Sequence, residues 1–349
     1  RIVYRGEFTR PPSLVTNGPF RLAAWEPRKV VRLEANEHYW DRGNVKSRSI
    51  EVVVFTSEQI SLSKYDSGEV DWWADVTPLA PDLKARGRKD LRVFDGFGTY
   101  FYSINCNEKF EDGSRNPMHD VRVRRALSQA IDKRPIVETI TRLGQPVALH
   151  YIPPTAFRNW PGTRGLEFDV AEARRQLSEA GYPEGRGFPR LELIYNTSTP
   201  LHGQIAENVV RQWKQNLGID LVMTGLELNV FRDRLRNKKY AIARASWIGD
   251  YNDPSTFTDK YLSTSENNDS AWTREAYDRL CEQAAREPDP QKRLRMLADA
   301  EQMLLDEAPI IPIYHYVNAY LFRDNVRGIA LSPRNMVMLK AVHAGRSQR

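Results

Sequence analysis

Hydrophobic and polar residues follow two different periods along this chain, and the two periods separate predicted strands from predicted helices. Short apolar runs rich in β-branched and aromatic residues predict strands at 30–35, 50–55, 91–94, 99–104, 191–195, 219–224, 240–245 and 311–317. Apolar residues at helical spacing predict helices at 120–143, 169–180, 202–217, 274–286 and 291–307. Strands that alternate with helices indicate an α/β protein with parallel or mixed sheets.

Three residues mark predicted helix ends. Asp120 is a favourable N-cap residue at the start of the first helix. Gly181 and Gly218 follow the second and third helices, at positions where glycine commonly ends a helix.

The composition is that of an ordinary globular protein. With 349 residues and a hydrophobic fraction of 41%, the chain is expected to form two domains. Its net charge of +6 is small, and basic residues are interleaved with acidic ones, so we expect no nucleic-acid binding. The densest basic group, at Arg122, Arg124 and Arg125, falls on an amphipathic predicted helix and is expected to be a solvated surface.

The chain contains no run of about 18 apolar residues, so we expect no direct membrane span. Residues 1–6 lack the apolar core of a signal peptide. Cys106 and Cys281 are far apart and show neither CxxC nor metal-ligand spacing, so no metal or cofactor is expected. An oxidising compartment would permit a disulfide between them, although nothing in the sequence requires one.

The segment 243–254, with the sequence ARASWIGDYNDP, is the most informative part of the chain. A predicted strand leads into it and a strong turn signal ends it, so Asp250 is expected at a strand end. A carboxylate walled by Trp247 and Tyr251 is suited to an ammonium group, because a charge-assisted hydrogen bond is strong and the rings exclude water. The alternative is that Asp250 caps the turn that Pro254 closes.

Support for catalysis is weak. The chain contains no G-x-S-x-G, H-E-x-x-H, Walker or G-x-G-x-x-G motif, so we expect no enzyme and no catalytic residue. One alternative is a hydrolase of peptides or glycans that uses Asp250 and Asp253 as a carboxylate pair, although their spacing does not ensure a shared cleft. Another is a non-binding fragment with an assembly or signalling role.

Several segments, taken in order, resemble the periplasmic oligopeptide-binding proteins, the dipeptide/oligopeptide branch of the ABC-transporter extracellular solute-binding proteins of family 5. The segment 243–254 is similar to the family motif W-x-x-D-Y-x-[DE]-P, whose aspartate holds the peptide α-ammonium and falls here on Asp250. The other similar segments are 17–20 (NGPF), 36–41 (NEHYWD), 65–71 (YDSGEVD), 120–127 (DVRVRRAL), 130–133 (AIDK), 195–198 (YNTS), 312–319 (PIYHYVNA) and 334–336 (RNM).

The resemblance implies a periplasmic-binding-protein-like (Venus flytrap) fold of the α/β class, with mixed sheets, one complete lobe and one partial lobe. Residues 1–98 would form a partial first lobe, residues 99–314 the complete second ligand-binding lobe, and residues 315–349 the C-terminal return to the first. Extended segments at 95–102 and 309–314 would act as hinges. Because the chain begins well inside the family pattern, we expect a fragment that lacks roughly the N-terminal third.

The resemblance also implies the residues that bind the ligand. They are Asp250 for the ammonium, Arg244 for a ligand carboxylate, and Trp247, Asn196, His202, Tyr251 and Tyr100 for the rest of the pocket. Three structural alternatives remain open: an ion pair of Arg244 with Asp250 or Asp253, a core position for Trp247, and a surface position for His202.

The chain departs from the family pattern at a few positions. A cystine found in some members falls here on Gly98 and Ile248, so that bridge is absent. A pocket tryptophan falls on Leu228 and a pocket arginine near Leu235, flanked by Arg234 and Arg236. At these positions the resemblance does not carry over the family's side-chain preference or its contact with the C-terminus of the ligand, whereas ammonium recognition is unaffected.

The resemblance therefore implies a periplasmic, extracytoplasmic solute-binding protein that captures oligopeptides for import through an ABC transporter. It would be a monomer without cofactor, and its partners would be the oligopeptide ligand and the membrane permease subunits of the transporter. Peptides can be bound without regard to sequence, because their main-chain groups add to a strand edge and their termini carry fixed charges.

Overall fold

The computed structural model describes residue 11, residues 14–332 and residues 334–345. The strands of this part of the chain are β1 (Phe20–Glu26), β2 (Val30–Ala35), β3 (Ser49–Val53), β4 (Trp72–Trp73), β5 (Leu91–Ile104), β6 (Leu191–Asn196), β7 (Leu221–Leu226), β8 (Ile242–Ile248), β9 (Ile310–Phe322), β10 (Val326–Arg327) and β11 (His343–Ala344). Its α-helices are α1 (Glu58–Ser67), α2 (Ala80–Ala85), α3 (Val121–Gln129), α4 (Val170–Glu179), α5 (Pro200–Leu217), α6 (Leu228–Arg236), α7 (Ser255–Thr258), α8 (Glu275–Arg286) and α9 (Pro290–Glu307). Residues 1–6, where no signal-peptide core was found, lie outside the described residues.

The described chain divides into two compact units. One extends up to Phe94 and resumes at Asn318, and the other is Asp95–Val317. Both boundaries fall inside long strands, β5 and β9, so the chain passes from one unit to the other within extended backbone.

The first unit is built on small antiparallel sheets. Strands β1, β2 and β3 form one sheet, in which Leu33 of the central strand faces Leu22 on one side and Ile50 on the other. The short strand β4 pairs with the end of β9, and β10 pairs with β11. The sequence pattern misses β1, whose centre contains two alanines, because alanine is depleted in strands.

The second unit has a mixed sheet with helices on both faces. Its strand order is β9-β5-β8-β6-β7, and β8 runs antiparallel to β5 but parallel to β6. Helices α3, α4 and α5 contribute to the hydrophobic core on one face, where the buried Trp213 donates its indole N–H to the Leu127 carbonyl oxygen at 2.8 Å. Helices α8 and α9 contribute to a second core on the other face. The predicted α/β class with mixed sheets is confirmed.

Two element predictions are wrong. The predicted helix at 120–143 ends at Gln129, and a separate π-helical turn spans Ile136–Thr141. Pro135 directly precedes this second segment, a position that suits proline because the first residues of a helix have no intrahelical partner for their N–H. The two strands predicted at 91–94 and 99–104 are one strand, β5, in which the absence of a side chain at Gly98 lets the Trp247 carbonyl of the neighbouring strand approach.

Other local predictions hold. The Asp120 side chain accepts a hydrogen bond from the Arg122 amide and caps α3, and Gly218 ends α5 with a left-handed φ of 71°.

The expected solvated basic face is wrong for Arg124, because this residue is buried and donates to three carbonyl oxygens. Cys106 and Cys281 are both free and buried.

Candidate ligand-binding site

Strand β8 carries or precedes several of the predicted site residues. In its antiparallel pairing with β5, Arg244 lies opposite Tyr102, and Ser246 lies opposite Tyr100. Because side chains alternate between the two faces of a strand, Arg244 shares a face with these tyrosines and Trp247 lies on the other face. The structure therefore brings Arg244 and Tyr100 together and separates both from Trp247.

Arg244 lies in a cluster of aromatic rings in the second unit. Its guanidinium carbon is 4.7 Å from the centroid of the Tyr100 ring, and its Nη2 donates to the Tyr316 hydroxyl at 2.9 Å. The Tyr314 ring stacks on Tyr100 at 4.9 Å, and the His202 ring is 5.6 Å from Tyr100. Strands β5, β8 and β9 and helix α5 thus each contribute to one largely buried aromatic cluster that contains a cation.

Four polar atoms at or beside this cluster lack hydrogen-bond partners within the described chain: the hydroxyl oxygens of Tyr100 and Tyr102, His202 Nδ1 and Arg244 Nε. On the neighbouring strand β6, Asn196 Oδ1 also lacks a partner. Asn196 ends β6, and the Thr199 side chain caps α5 so that His202 lies in its first turn. Both Asn196 and His202 are buried, so the surface position considered for His202 is wrong. Buried polar atoms normally find partners, and unpaired ones are unfavourable, so their concentration here is typical of a place where a ligand or water binds.

The protonation of His202 follows from its surroundings. Burial, and secondarily the positive charge of Arg244, lower the pKa of His202 to about 3. The imidazole is therefore neutral at pH 7, and Arg244 is the positive charge in the cluster. An anionic group is the natural complement of this charge.

Asp250 lies just beyond the end of β8, as predicted. The Gly249 amide donates to the Phe97 carbonyl at 2.9 Å, and the Asp250 amide donates to Thr256 Oγ1 at 2.9 Å. The Asp250 side chain is exposed, and within the described chain its carboxylate has no hydrogen-bond or ion-pair partner. The aspartate is therefore held by its backbone, and its charge is free to bind a cation.

The rings next to Asp250 do not bury it, which corrects the expected aromatic enclosure. Trp247 donates its indole N–H to the Thr256 carbonyl at 2.8 Å, and its ring lies 5.2 Å from Lys260 Nζ. Tyr251 is 44% exposed, and its hydroxyl donates to Asp259 at 3.1 Å. Trp247 is partly buried and packs against the second hydrophobic core, in line with the core alternative.

The contacts of Asp253 bear on two alternatives: that Asp250 caps the turn, and that Arg244 forms an ion pair with Asp250 or Asp253. It forms a two-pronged ion pair with Arg293 of α9, with N–O distances of 2.7 and 2.8 Å. Burial alone would raise the pKa of the Asp253 carboxyl. Hydrogen bonds from Arg293 and from the Ser255 amide more than offset this effect and hold that pKa below its usual value. Asp253 therefore caps the turn in place of Asp250, and no ion pair in the described chain joins Arg244 to either carboxylate.

Sequence reasoning missed Tyr314 and Tyr316, although both lie in a segment used for the resemblance. The available signal was their alternation, since residues two apart on a strand share a face. Gly98 and Ile248, onto which the family's cystine falls, are direct cross-strand partners in β5 and β8.

Two further properties concern the described residues only. None of their His, Cys, Asp and Glu side chains gather in groups of three or more that could ligate a metal ion. None of their helices combines the length and the apolar character needed to cross a bilayer.

Comparisons with known proteins show the family. The sequence profile of the bacterial extracellular solute-binding proteins, family 5 Middle, matches residues 4–269. The chain is similar to the oligopeptide-binding protein OppA of Bacillus subtilis, with 33% identity over 91% of this chain and 58% of that protein. It is also similar to the periplasmic oligopeptide-binding protein OppA of Salmonella typhimurium, with 33% identity over 92% of this chain and 59% of that protein. The chain thus spans about three fifths of the length of these curated relatives.

Solved structures agree with the sequence comparison. The unliganded open form of the periplasmic murein tripeptide-binding protein MppA matches with a TM-score of 0.81 and 29% identity, over 97% of this chain and 65% of that one. A structure of the Escherichia coli murein tripeptide-binding protein MppA matches with a TM-score of 0.72 and 29% identity, over 97% and 66%. The fold is therefore that of the periplasmic binding proteins, as predicted, and its relatives are binding proteins rather than enzymes. The chain belongs to the bacterial extracellular solute-binding proteins of family 5.

Proposed function

We propose that this chain is the ligand-binding part of a periplasmic oligopeptide-binding protein that supplies an ABC importer. Family membership and the names of the OppA and MppA relatives support this proposal. In it, the partners are an oligopeptide and the permease subunits of the transporter, and the protein acts as a monomer. Residues 99–314 serve as the complete ligand-binding lobe, and the flanking residues contribute a partial lobe.

One observation carries the proposal: the same strand presents two opposite charges whose ionic groups have no counter-ion within the described chain. Arg244 lies within β8, and Asp250 follows its end. A peptide in its zwitterionic form has an ammonium at one end and a carboxylate at the other, so it complements both charges at once. An extended peptide also offers main-chain donors and acceptors, which give affinity without sequence preference.

The proposal assigns a role to each predicted residue. Asp250 accepts hydrogen bonds from the peptide α-ammonium, and Arg244 donates to the peptide carboxylate. His202 meets the same end of the peptide as Arg244 through its unpartnered Nδ1, and the Tyr100 ring packs against the Arg244 guanidinium. Asn196 offers its unpartnered Oδ1 to the ligand from the end of β6. Trp247 and Tyr251 border the ammonium end without enclosing it.

Titration calorimetry with three peptides tests this function. The ligands are trialanine, its N-acetyl form and its C-terminal amide. We expect trialanine to bind with micromolar affinity, about −8 kcal/mol, and both modified peptides to bind at least about fivefold more weakly, because each loses one charge. Equal binding of all three peptides, or no binding of any, would contradict the proposal.

A further inference from the structure

A buried side chain, that of Thr256, holds one side of the loop that carries Asp250. Thr256 is 3% exposed, and its hydroxyl oxygen accepts the hydrogen bond from the Asp250 amide at 2.9 Å. The Thr256 carbonyl accepts from the Trp247 indole at 2.8 Å, so one residue joins the end of β8 to the loop beyond it. Gly249 fixes the start of the loop, because a Cβ there would come within 2.1 Å of the Phe97 ring.

A second contact anchors the far side of the same loop to a long helix. The Thr256 amide donates to the Asp253 carbonyl at 3.2 Å, and the Asp253 carboxylate receives both prongs of the Arg293 guanidinium. Arg293 lies in α9, and its ion pair is only partly exposed. The two-pronged geometry fixes direction as well as distance. Two contacts therefore hold the loop: the hydrogen bond from the Asp250 amide to Thr256 and the ion pair of Asp253 with Arg293.

We propose that Thr256 and Arg293 are positioning residues that hold Asp250 in its ligand-binding geometry before a peptide arrives. The inference rests on the proposed function, in which Asp250 binds the α-ammonium. A charged group on a free loop must be ordered when the ligand binds, and that ordering weakens the affinity. A loop whose side chains are already held in place by hydrogen bonds and ion pairs avoids this loss of affinity.

The proposal makes a selective prediction, because neither side chain is needed to contact the ligand. The Thr256 hydroxyl oxygen is engaged by the Asp250 amide, and Arg293 is engaged by Asp253. Removing the Thr256 hydroxyl or the Arg293 guanidinium weakens only the interaction that depends on the Asp250 carboxylate. A peptide that lacks a free ammonium gains nothing from that carboxylate, so its affinity does not depend on these two anchors.

Thr256→Val and Thr256→Ser form the central test. Valine keeps the shape of threonine but removes the acceptor, whereas serine keeps the acceptor. For Thr256→Val we expect the Kd of trialanine to rise about threefold, the Kd of N-acetyl-trialanine to stay unchanged, and the Asp250 amide to exchange its hydrogen faster in the ligand-free protein. Thr256→Ser restores the wild-type values.

Arg293→Met tests the outer anchor in the same way, and Arg279→Met is its control. Arg279 is an exposed arginine of α8 that pairs with Glu275 on the same helix. We expect Arg293→Met to reduce discrimination between the free and acetylated peptides about threefold and Arg279→Met to leave it unchanged.

Two results would overturn the inference. If the variants weaken binding of both peptides equally, Thr256 and Arg293 act only through general stability. If Thr256→Val leaves both the hydrogen exchange of the Asp250 amide and the Kd of trialanine unchanged, the Thr256 hydroxyl does not position Asp250. Failure of the proposed function looks different, since the wild-type chain itself would then fail to distinguish trialanine from its acetylated form.

Discussion

Strand β8 leads from one charged site to another, and the two sites have opposite physical characters. Arg244 lies against tyrosine rings and a buried neutral histidine, and its Nε lacks a partner within the described chain. Asp250 is exposed, and its backbone rather than its side chain is held by hydrogen bonds. Four elements far apart in sequence form the first site, whereas one short loop and its anchors form the second.

This difference predicts unequal contributions to ligand binding. A charged hydrogen bond in surroundings of low dielectric constant is stronger, and an unpaired group there is more unfavourable. An exposed ion pair is weakened by water and salt and typically contributes about 1 kcal/mol or less. We therefore expect the carboxylate end of a peptide to contribute more to its affinity than the ammonium end.

Replacing Arg244 gives the largest expected effect. In Arg244→Met the partly buried cation is lost, so the Kd of trialanine should rise about a hundredfold. The C-terminal amide of trialanine should bind the wild type and the variant almost equally, because it has no carboxylate to offer. Calorimetry with both ligands measures the difference.

Arg175→Met is the control for this prediction, since Arg175 is exposed on α4 and pairs with glutamates of its own helix. It should leave both affinities unchanged. A loss of less than about fivefold in Arg244→Met would remove the contrast between the two ends of the site.

The pH dependence of stability gives a smaller effect and tests the buried character of the Arg244 site. The pKa of His202 is lowered from 6.5 to about 3 in the folded chain. Between these values the unfolded chain binds a proton that the folded chain does not, so the contribution of His202 to stability is complete above pH 6.5 and is lost as the pH falls toward 3. On going from pH 7 to pH 5, the wild type should therefore lose about 2 kcal/mol more unfolding free energy than His202→Gln.

Urea unfolding at the two pH values measures this difference. His38→Gln is the matched control, because His38 is exposed, and it should lose as much stability as the wild type. If the wild type and His202→Gln lose equal stability, the cluster around Arg244 is more open to water than this structure indicates.

The same contrast explains what could be predicted from the sequence. The Asp250 site is local, so a strand signal followed by a proline turn was enough to place the carboxylate at a strand end. The anchor Arg293 lies in a distant helix, and no local pattern connects it with Asp253. The enclosure by Trp247 and Tyr251 was wrong because the alternation of β8 and the contacts of α7 direct these rings elsewhere.

The Arg244 cluster required the fold. Its tyrosines come from β5 and β9, which are separated by more than two hundred residues, and His202 comes from α5 between them. Resemblance to a family supplied Arg244, His202, Asn196 and Tyr100 as candidates, whereas composition and spacing did not. The helix boundary at Gln129 was missed because the apolar pattern of a helix continues beyond it into the separate segment Ile136–Thr141.

The most direct test of ammonium recognition combines one substitution with one chemical change in the ligand. The Kd of trialanine and of N-acetyl-trialanine is measured by calorimetry for the wild type, for Asp250→Asn and for the exposed control Asp299→Asn. We predict that acetylation weakens binding about fivefold in the wild type and in Asp299→Asn but has no effect in Asp250→Asn, because the carboxylate and the ammonium act as one pair. An acetylation penalty that is equally large in Asp250→Asn would contradict the assignment of the ammonium to Asp250.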